Sequence, residues 1–362
     1  MDFTFDEVQD DLRGLSSKIL DEQATPARLR ELEAGPDRVD RDLWAAFASA
    51  DLLGVSLPER WGGGGYGLME TAVLLEEVGR RVAPIPLLAT VVLGAMPVAE
   101  LGTDEQRERL LPGVIAGDTF LTAALEEADG GDPLLPRTTA ERDGDGWRLT
   151  GEKVAVPWGR LADEVVVGAR TSDGTTGLFL VAEGERQAAE STHLEPQCRL
   201  VLDGTPGERL GGPDALAWLV RRALAGICAT TVGVLDEAVR ITAAYVSERE
   251  QFGRPIGAFQ GVAIRAADAF IDSYAASVTT WSAVWRLAEG RPADEQLAIA
   301  KFWCADGGHR VVHAAQHLHG GMGVDVDYPI HRYTQWAKAL EHQLGGATAS
   351  LLRLGDLLCT SS

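Results

Sequence analysis

The spacing of apolar residues changes twice along the chain, and this change constrains the fold more than any other feature. Residues 1–118 show helical spacing, and from about Thr119 short β-branched segments bounded by Asp-Gly turns replace it. The helical period returns at Pro213 and persists to the end. The sequence therefore predicts an α+β fold with an N-terminal helical domain (1–118), a middle antiparallel β domain (119–212), either a barrel or a sandwich, and a C-terminal four-helix bundle (213–362).

Within the last domain, the apolar period predicts four long helices, near 213–249, 259–289, 294–318 and 339–358.

Two local patterns punctuate the first domain. Thr103 and Gln106 have the spacing of a capping box at the start of a helix. The run of glycines Gly62–Gly65 precedes a helix that begins near Leu68. Because these glycines lack the lysine and hydroxyl residue of a phosphate-binding loop, we interpret them as a flexible linker between helices.

Composition excludes some classes of function. The net charge of -21 is not offset by any basic run, which argues against a nucleic-acid partner. The four cysteines lie far apart without CxxC spacing, so neither a zinc site nor a disulfide framework is indicated. The N-terminal run MDFTFDEVQDD has no signal-peptide core, and no apolar run approaches the roughly 20 residues of a membrane span. We therefore expect a cytoplasmic protein that does not enter a membrane.

The stretch Ser247–Gln260, SEREQFGRPIGAFQ, joins two helical segments of the last domain. It places Arg249, Gln251 and Phe252 at the end of the first segment, before glycines and a proline that redirect the chain. An arginine and a phenylalanine at a helix end suit a phosphate and a flat heterocycle. An ordinary connection between helices with solvated charges is the alternative.

Three motifs in this domain order resemble the acyl-CoA dehydrogenase family. LPERWGGGGYGLMETAVLLEEVGR is similar to the family's LPxxYGGxGxxxxExxxxxEExGR, EREQFGRPIGAFQ to its RxxFGxxIxxFQ, and HGGMGVDVDYPIHRY to its GGxGxxxxYPxxRxxRD. The resemblance implies FAD-dependent oxidation of an acyl-CoA thioester to the 2,3-enoyl-CoA. In that chemistry a carboxylate removes a proton and the flavin accepts hydride.

The family's flavin site is shared between two subunits, and the resemblance implies that this chain keeps the half donated to a neighbour's FAD. Arg249, Gln251 and Phe252 match the residues that reach the neighbour's cofactor, and Gly320 and Gly321 match its phosphate loop. Glycines there let backbone N–H groups approach phosphate oxygens.

One position beside this loop departs from the family. His317 stands where the family has glutamine, and Gln316 precedes it. Either side chain could bond to FAD; the alternative is that His317 and His319 simply pack at the end of a helix.

The resemblance also implies that the half for the chain's own flavin ring is altered. Ala155 stands at the position of the family's ring-stacking tryptophan and Pro157 at that of its threonine. Trp158 is interpreted as a core or interface residue rather than a replacement. The family's TEPxxGSD is replaced by the segment Leu125–Asp132, LEEADGGD.

The family's catalytic base is missing as well. Leu344 aligns with its usual glutamate and Ala223 with the alternative position on the first bundle helix. The nearest carboxylate, Glu341, is either a displaced base or, by default, a solvated or ion-paired helix residue. No catalytic residue is assigned.

These differences predict a half-site subunit of a heteromeric, FAD-dependent acyl-CoA dehydrogenase. Its partner would be a related chain that carries the catalytic glutamate in an α2β2 assembly, as in actinobacterial enzymes that shorten steroid side chains. The resemblance implies a bulky, steroid-like acyl-CoA substrate and an electron acceptor such as an electron-transfer flavoprotein. The alternatives are a self-sufficient homotetramer that uses Glu341 and a flavin-free scaffold subunit.

Overall fold

The computed structural model describes residues 4–360, so the ends of the predicted first and last domains, 1–3 and 361–362, lie outside the described residues. Helices precede and follow a single block of strands, as the sequence predicted. The first helices are α1 (Glu7–Gln23), α2 (Pro26–Ala34), α3 (Arg41–Ser49), α4 (Leu68–Arg81), α5 (Met96–Leu101) and α6 (Asp104–Ala116), with a π-helical segment, Leu88–Ala95, leading into α5.

Local capping chemistry fixes where α6 begins. The Thr103 hydroxyl accepts the backbone N–H of Gln106, and the Gln106 side chain accepts that of Thr103, which confirms the predicted capping box. The interpretation of Gly62–Gly65 as a flexible linker is wrong. A Cβ on Gly63 would lie 2.1 Å from the carbonyl oxygen of Leu57, so the glycines are needed for close backbone packing.

The middle domain is one seven-stranded sheet, in which the partners β4, β2, β3, β7 and β5 form a closed ring. β1 and β2 pair with successive parts of one edge of β4, and both run parallel to it. The sheet is therefore mixed, whereas the sequence predicted a purely antiparallel one. Buried side chains such as Leu149, Phe179 and Leu200 fill its core. The strands are β1 (Leu121–Ala124), β2 (Thr139–Asp143), β3 (Gly146–Pro157), β4 (Glu164–Thr171), β5 (Thr176–Val181), β6 (Glu185–Ala189) and β7 (Gln197–Leu210).

The C-terminal helices differ from the prediction in three places. One of them is a helix that begins at Ile330, inside the long connection predicted before residue 339. The helix predicted near 294–318 contains a π-helical turn, Trp303–Gly307, and the helix predicted near 339–358 is two helices separated at Leu344 and Gly345, whose φ angles are 55° and 100°. Left-handed residues end an α-helix. The helices are α7 (Ala215–Glu248), α8 (Gln260–Ala288), α9 (Asp294–Phe302), α10 (Gly308–His319), α11 (Ile330–His342) and α12 (Ala347–Thr360), with strands β8 (Glu250–Gln251) and β9 (Arg254–Pro255) between α7 and α8.

Helix α7 is the centre of the last domain and crosses α4 at very short range. A Cβ on Gly79 would lie 2.0 Å from the carbonyl oxygen of Thr230, and one on Gly233 would lie 1.8 Å from that of Glu76. By length and composition α7 could span a bilayer, which the sequence analysis did not recognise. However, 83% of the most apolar 18-residue stretch of this helix is buried inside the protein. It is a core helix that ties the two helical domains together.

Candidate functional site

The stretch predicted to bind a cofactor forms a short hairpin where α7 ends. Arg249 leaves the helix with extended backbone angles, and β8 pairs with β9 across Phe252 and Gly253. These two residues have φ angles of 53° and 77°, and positive φ at both central positions is characteristic of a type I′ turn. The sequence predicted a turn here, and the structure places Phe252 at its tip.

The Phe252 side chain is 93% exposed. Its ring meets the edge of Phe259 with centroids 6.1 Å apart. Phe252 adopts a left-handed conformation, which costs a non-glycine residue about 1–3 kcal/mol. Its exposure leaves most of the ring uncovered. The ring is therefore free to pack on a flat group outside the chain.

The Arg249 side chain is also exposed and, across residues 4–360, forms neither a hydrogen bond nor an ion pair. Its backbone N–H donates to the carbonyl of Tyr245 at 2.8 Å, which fixes the start of the hairpin. Some other bundle arginines, such as Arg221 and Arg310, pair with aspartates. Arg249 therefore has its full set of donors available for an anion.

The glycine loop after α10 has a backbone that other residues rarely adopt. Gly320 has φ 59° and ψ -131°, and neither Gly320 nor Gly321 has an atom within 4 Å of an added Cβ. Gly323 packs back on the helix, since a Cβ there would lie 2.4 Å from the carbonyl oxygen of Gln316. The loop thus leaves open space beside its first two peptide groups.

The remaining predicted contacts lie around these two segments. Gln251 is exposed on β8, and His317 is exposed on the last turn of α10. The Gln316 amide is half-buried and donates to the carbonyl of Gly323 at 3.2 Å, so it supports the loop from below.

Two aromatic residues bring the hairpin and the glycine loop together. The rings of Tyr245 and His319 stack with centroids 4.4 Å apart, and the Tyr245 hydroxyl lies 3.4 Å from the carbonyl oxygen of His319. Tyr245 is one helical turn before Arg249, and His319 directly precedes Gly320. Sequence reasoning missed this contact, because the two residues are 74 positions apart.

The segment that aligns with the family's flavin-ring support, and that the sequence predicts to have lost this role, is occupied by internal contacts. Ala155 has φ 50° and lies at a bulge between β3 and β7. The Trp158 side chain is 3% exposed, packs with Val39 and Ala89, and donates its indole N–H to Glu195 at 3.0 Å. The prediction that Trp158 is a core residue is confirmed.

The neighbouring segment Leu125–Asp132 is likewise used for structure. Lys153, fully buried on β3, donates to the Glu127 carboxylate at 2.7 Å. Glu127 also accepts the hydroxyl of Thr138 at 2.7 Å and the backbone N–H of Arg137 at 2.8 Å. Burial alone would raise the pKa of Glu127, but these bonds outweigh it and lower the pKa to about 2.

Two family models match the chain. The model described as "Acyl-CoA dehydrogenase, N-terminal domain" matches residues 6–118, and "Acyl-CoA dehydrogenase, C-terminal domain" matches residues 218–354. The chain belongs to the acyl-CoA dehydrogenase family. It is 40% identical to "Acyl-CoA dehydrogenase FadE27" of Mycobacterium tuberculosis over 98% of both chains.

Solved structures agree with this assignment. A chain of the "ChsE4-ChsE5 complex from Mycobacterium tuberculosis" is 40% identical with a TM-score of 0.95 over 99% of both chains. A chain of a "Tcur3481-Tcur3483 steroid ACAD" variant is 48% identical with a TM-score of 0.94 over 98% of both chains. As an acyl-CoA dehydrogenase, the protein is an oxidoreductase of a family that uses FAD.

The two residues that the motif alignment predicts at the family's base positions are apolar. Leu344 lies in the break between α11 and α12, and Ala223 is fully buried on α7. Because α11 ends at His342, Glu341 and Leu344 do not share a helix. The Glu341 carboxylate instead accepts Lys338 Nζ at 2.6 Å, which supports the ion-paired alternative over a displaced base.

The structure adds two charged residues that sequence reasoning did not single out. The backbone N–H of Leu344 faces the Glu126 carboxylate, and burial raises the pKa of that group. Lys301 is 2% exposed and donates to the carbonyls of Leu340 and Glu341 at 2.7 and 3.0 Å, which caps α11. Both residues hold the segment around Leu344 in place.

The two halves of a shared flavin site therefore differ in their fit. An unpaired Arg249, an exposed Phe252 and the open glycine loop suit the phosphates and a flat ring of FAD. Ala155 and Pro157 offer neither an aromatic platform nor a hydroxyl to a flavin ring. Within the described part of the chain, no group of three or more His, Cys, Asp or Glu side chains could hold a metal ion.

Proposed function

We propose that this acyl-CoA dehydrogenase chain is the half-site subunit of a heteromeric enzyme. One observation carries the proposal: Arg249 is exposed, has no hydrogen-bond or ion-pair partner among residues 4–360, and lies one helical turn after Tyr245, which stacks on His319. His319 directly precedes the Gly320–Gly321 loop, and Leu344 stands where the motif alignment predicts the base. The chain is equipped to hold the phosphates of a cofactor whose ring is seated in a related partner chain.

The similar structures support a heteromeric assembly. One belongs to the ChsE4-ChsE5 complex, and the other belongs to the Tcur3481-Tcur3483 steroid acyl-CoA dehydrogenase. We therefore propose an α2β2 enzyme in the cytoplasm that oxidises a bulky, steroid-like acyl-CoA to the 2,3-enoyl-CoA and passes electrons to an electron-transfer flavoprotein.

Each residue of the donated half has a role in this proposal. Bound FAD would supply the hydride acceptor. Arg249 donates charge-assisted hydrogen bonds to its pyrophosphate, and the backbone N–H groups of Gly320 and Gly321 donate beside it. Phe252 packs on a flat ring of the cofactor. The amides of Gln251 and Gln316 and the ring of His317 add polar contacts around the same groups.

The partner chain contributes what this chain lacks. It carries the glutamate that removes the proton next to the thioester carbonyl, together with the aromatic platform and hydroxyl that Ala155 and Pro157 do not provide. Proton removal and flavin support thus belong to one chain, and anchoring of the cofactor's tail to the other.

The test is to co-express the chain with such a partner and compare Arg249→Ala with Arg291→Ala. Each charge-assisted hydrogen bond contributes about 1.5–3 kcal/mol, so Arg249→Ala should weaken FAD retention by about 10- to 150-fold. Arg291 is a matched control: it is exposed, without a carboxylate partner among residues 4–360, and α8 separates it from the hairpin by about 43 Å.

Flavin counting separates the alternatives. The proposal expects the complex to retain FAD, with the cofactor's phosphates contacting this chain. It expects no flavin in the chain purified alone. Unchanged flavin occupancy in Arg249→Ala would favour a flavin-free scaffold. Stoichiometric FAD and acyl-CoA oxidation by the isolated chain would instead establish a self-sufficient enzyme.

A further inference from the structure

The buried side chain of His319 lies between the two segments that form the donated half-site. It is 2% exposed, and its Nδ1 lies 2.7 Å from the carbonyl oxygen of Ala315. A carbonyl only accepts hydrogen bonds, so Nδ1 carries the proton and Nε2 is the bare nitrogen of a neutral ring. Nε2 is buried and has no hydrogen-bond partner within residues 4–360.

Aromatic contacts of this ring connect the ends of two helices, α7 and α10. One face stacks on Tyr245 at 4.4 Å between centroids with an interplanar angle of 27°. Tyr328 lies 5.1 Å from the same ring, in the segment that follows the glycine loop. The backbone carbonyl of Tyr245 accepts the backbone N–H of Arg249, and His319 is followed directly by Gly320. Movement of the stacked rings would therefore shift both Arg249 and the glycine loop.

We propose that His319 is a positioning residue that holds Arg249 and the Gly320–Gly321 loop in a fixed arrangement for the cofactor's phosphates. This inference rests on the proposed function, because it assigns a role within the donated half-site. His319 does not need to touch the cofactor; it acts through Tyr245 on one side and the backbone of Gly320 on the other.

The chemistry of the ring makes this positioning dependent on pH. Protonation would add an N–H at Nε2, which is buried and has no hydrogen-bond partner among residues 4–360, and burial lowers the pKa of His319. The groups that face the ring are the Tyr245 and Tyr328 phenols, with Glu248 close to the latter. A folded-state pKa below the ordinary value of 6.5 means that the arrangement is stabilised above that pH and loses stability as pH falls below it.

The experiment measures FAD release from the purified complex with its base-carrying partner, by flavin fluorescence, at pH 8 and at pH 5.5. His319→Ala removes the ring and should release FAD about tenfold faster at pH 8. Wild type should release FAD faster at pH 5.5 than at pH 8. His319→Phe keeps a ring that can stack but cannot be protonated. Its release rate should therefore stay within about threefold of wild type at pH 8 and should not rise at pH 5.5. His313→Ala, an exposed histidine on the same helix, is the matched control and should retain the wild-type rate and its pH dependence.

A second measurement uses the complex stripped of FAD. Amide hydrogen exchange in residues 249–253 and 320–324 should rise together in His319→Ala and remain unchanged in His313→Ala. Joint loosening supports the coupling even if FAD binds elsewhere, and unchanged exchange in both segments would overturn it.

The outcomes distinguish this inference from the function on which it rests. If Arg249→Ala accelerates FAD release and His319→Ala does not, the positioning role is wrong and the half-site stands. If neither variant changes FAD release, the half-site proposal fails, and hydrogen exchange alone decides whether His319 couples the two segments.

Discussion

Replacing Glu127 with glutamine should strongly destabilise the β domain, because it breaks a buried ion pair on one side only. Glu127 is 12% exposed and accepts hydrogen bonds from Lys153, Thr138 and Arg137. Lys153 has no exposed side-chain surface, so its ammonium group would be left buried without a countercharge.

Two independent estimates give the size of the effect. The pKa of Glu127 falls from 4.5 to about 2, and at 1.36 kcal/mol per pH unit this corresponds to about 3 kcal/mol of folding stability at neutral pH. Removing one partner of a buried pair typically costs about 3–5 kcal/mol. We expect a loss of about 3 kcal/mol in Glu127→Gln. Because the folded-state pKa is depressed, the wild type should lose the same stability as pH falls from 4.5 towards 2, and the variant should not.

Urea unfolding followed by circular dichroism at pH 7 measures this loss. Glu152, next to Lys153 on β3, is the matched control: it pairs with Arg199 at the surface, where solvent screens the pair, so Glu152→Gln should unfold at the wild-type urea concentration. The double variant Glu127→Gln with Lys153→Met should recover part of the loss. A Glu127→Gln protein that unfolds like Glu152→Gln would refute the reasoning.

Two further predictions concern the helical domains. Burial raises the pKa of Glu76 to about 7, although the charges of Arg13 and Arg80 partly oppose this shift. Because the folded-state pKa is raised, the protein loses stability as pH rises from 4.5 through 7. Glu76→Gln should therefore be more stable than wild type by about 3 kcal/mol at pH 8.5 and equal to it at pH 4.5, measured by urea unfolding. Leu344→Glu should give the isolated chain no acyl-CoA oxidation in a dye-reduction assay, because Ala155 still leaves the flavin ring unsupported; measurable turnover would contradict this.

The sequence predicted the features that depend on local patterns. The change of period located the strands between two helical regions, and the Thr103–Gln106 spacing predicted the start of α6. The glycines and proline after Arg249 predicted the turn, because their backbone preferences hold in most contexts. Family motifs added the donated half of the flavin site, which the local patterns could not have identified.

Features set by distant contacts were beyond the same reasoning. The parallel pairing of β1 and β2 with β4 depends on tertiary contacts between strands that are not neighbours in sequence. The break at Leu344 does have a local signal in the two glycines that follow it, which helical periodicity outweighed in the prediction. The stack of Tyr245 on His319 has no sequence signal, since it joins residues that only the packing of α7 against α10 brings together.

The contrast between the two halves of the site bears on how the chain is stabilised. Where the family seats its own flavin ring, polar groups here are satisfied internally: Lys153 by Glu127 and Trp158 by Glu195. In the segment that we propose to serve a neighbour's cofactor, Phe252 is exposed in a left-handed conformation, and Arg249 has no partner among residues 4–360. A chain that had only lost its activity would have no physical reason to keep an exposed aromatic ring in a strained backbone conformation at one segment while its polar groups at the other segment are hydrogen-bonded. A bound cofactor and partner surface would offset this strain, and this argues for a subunit whose donated half is completed by association.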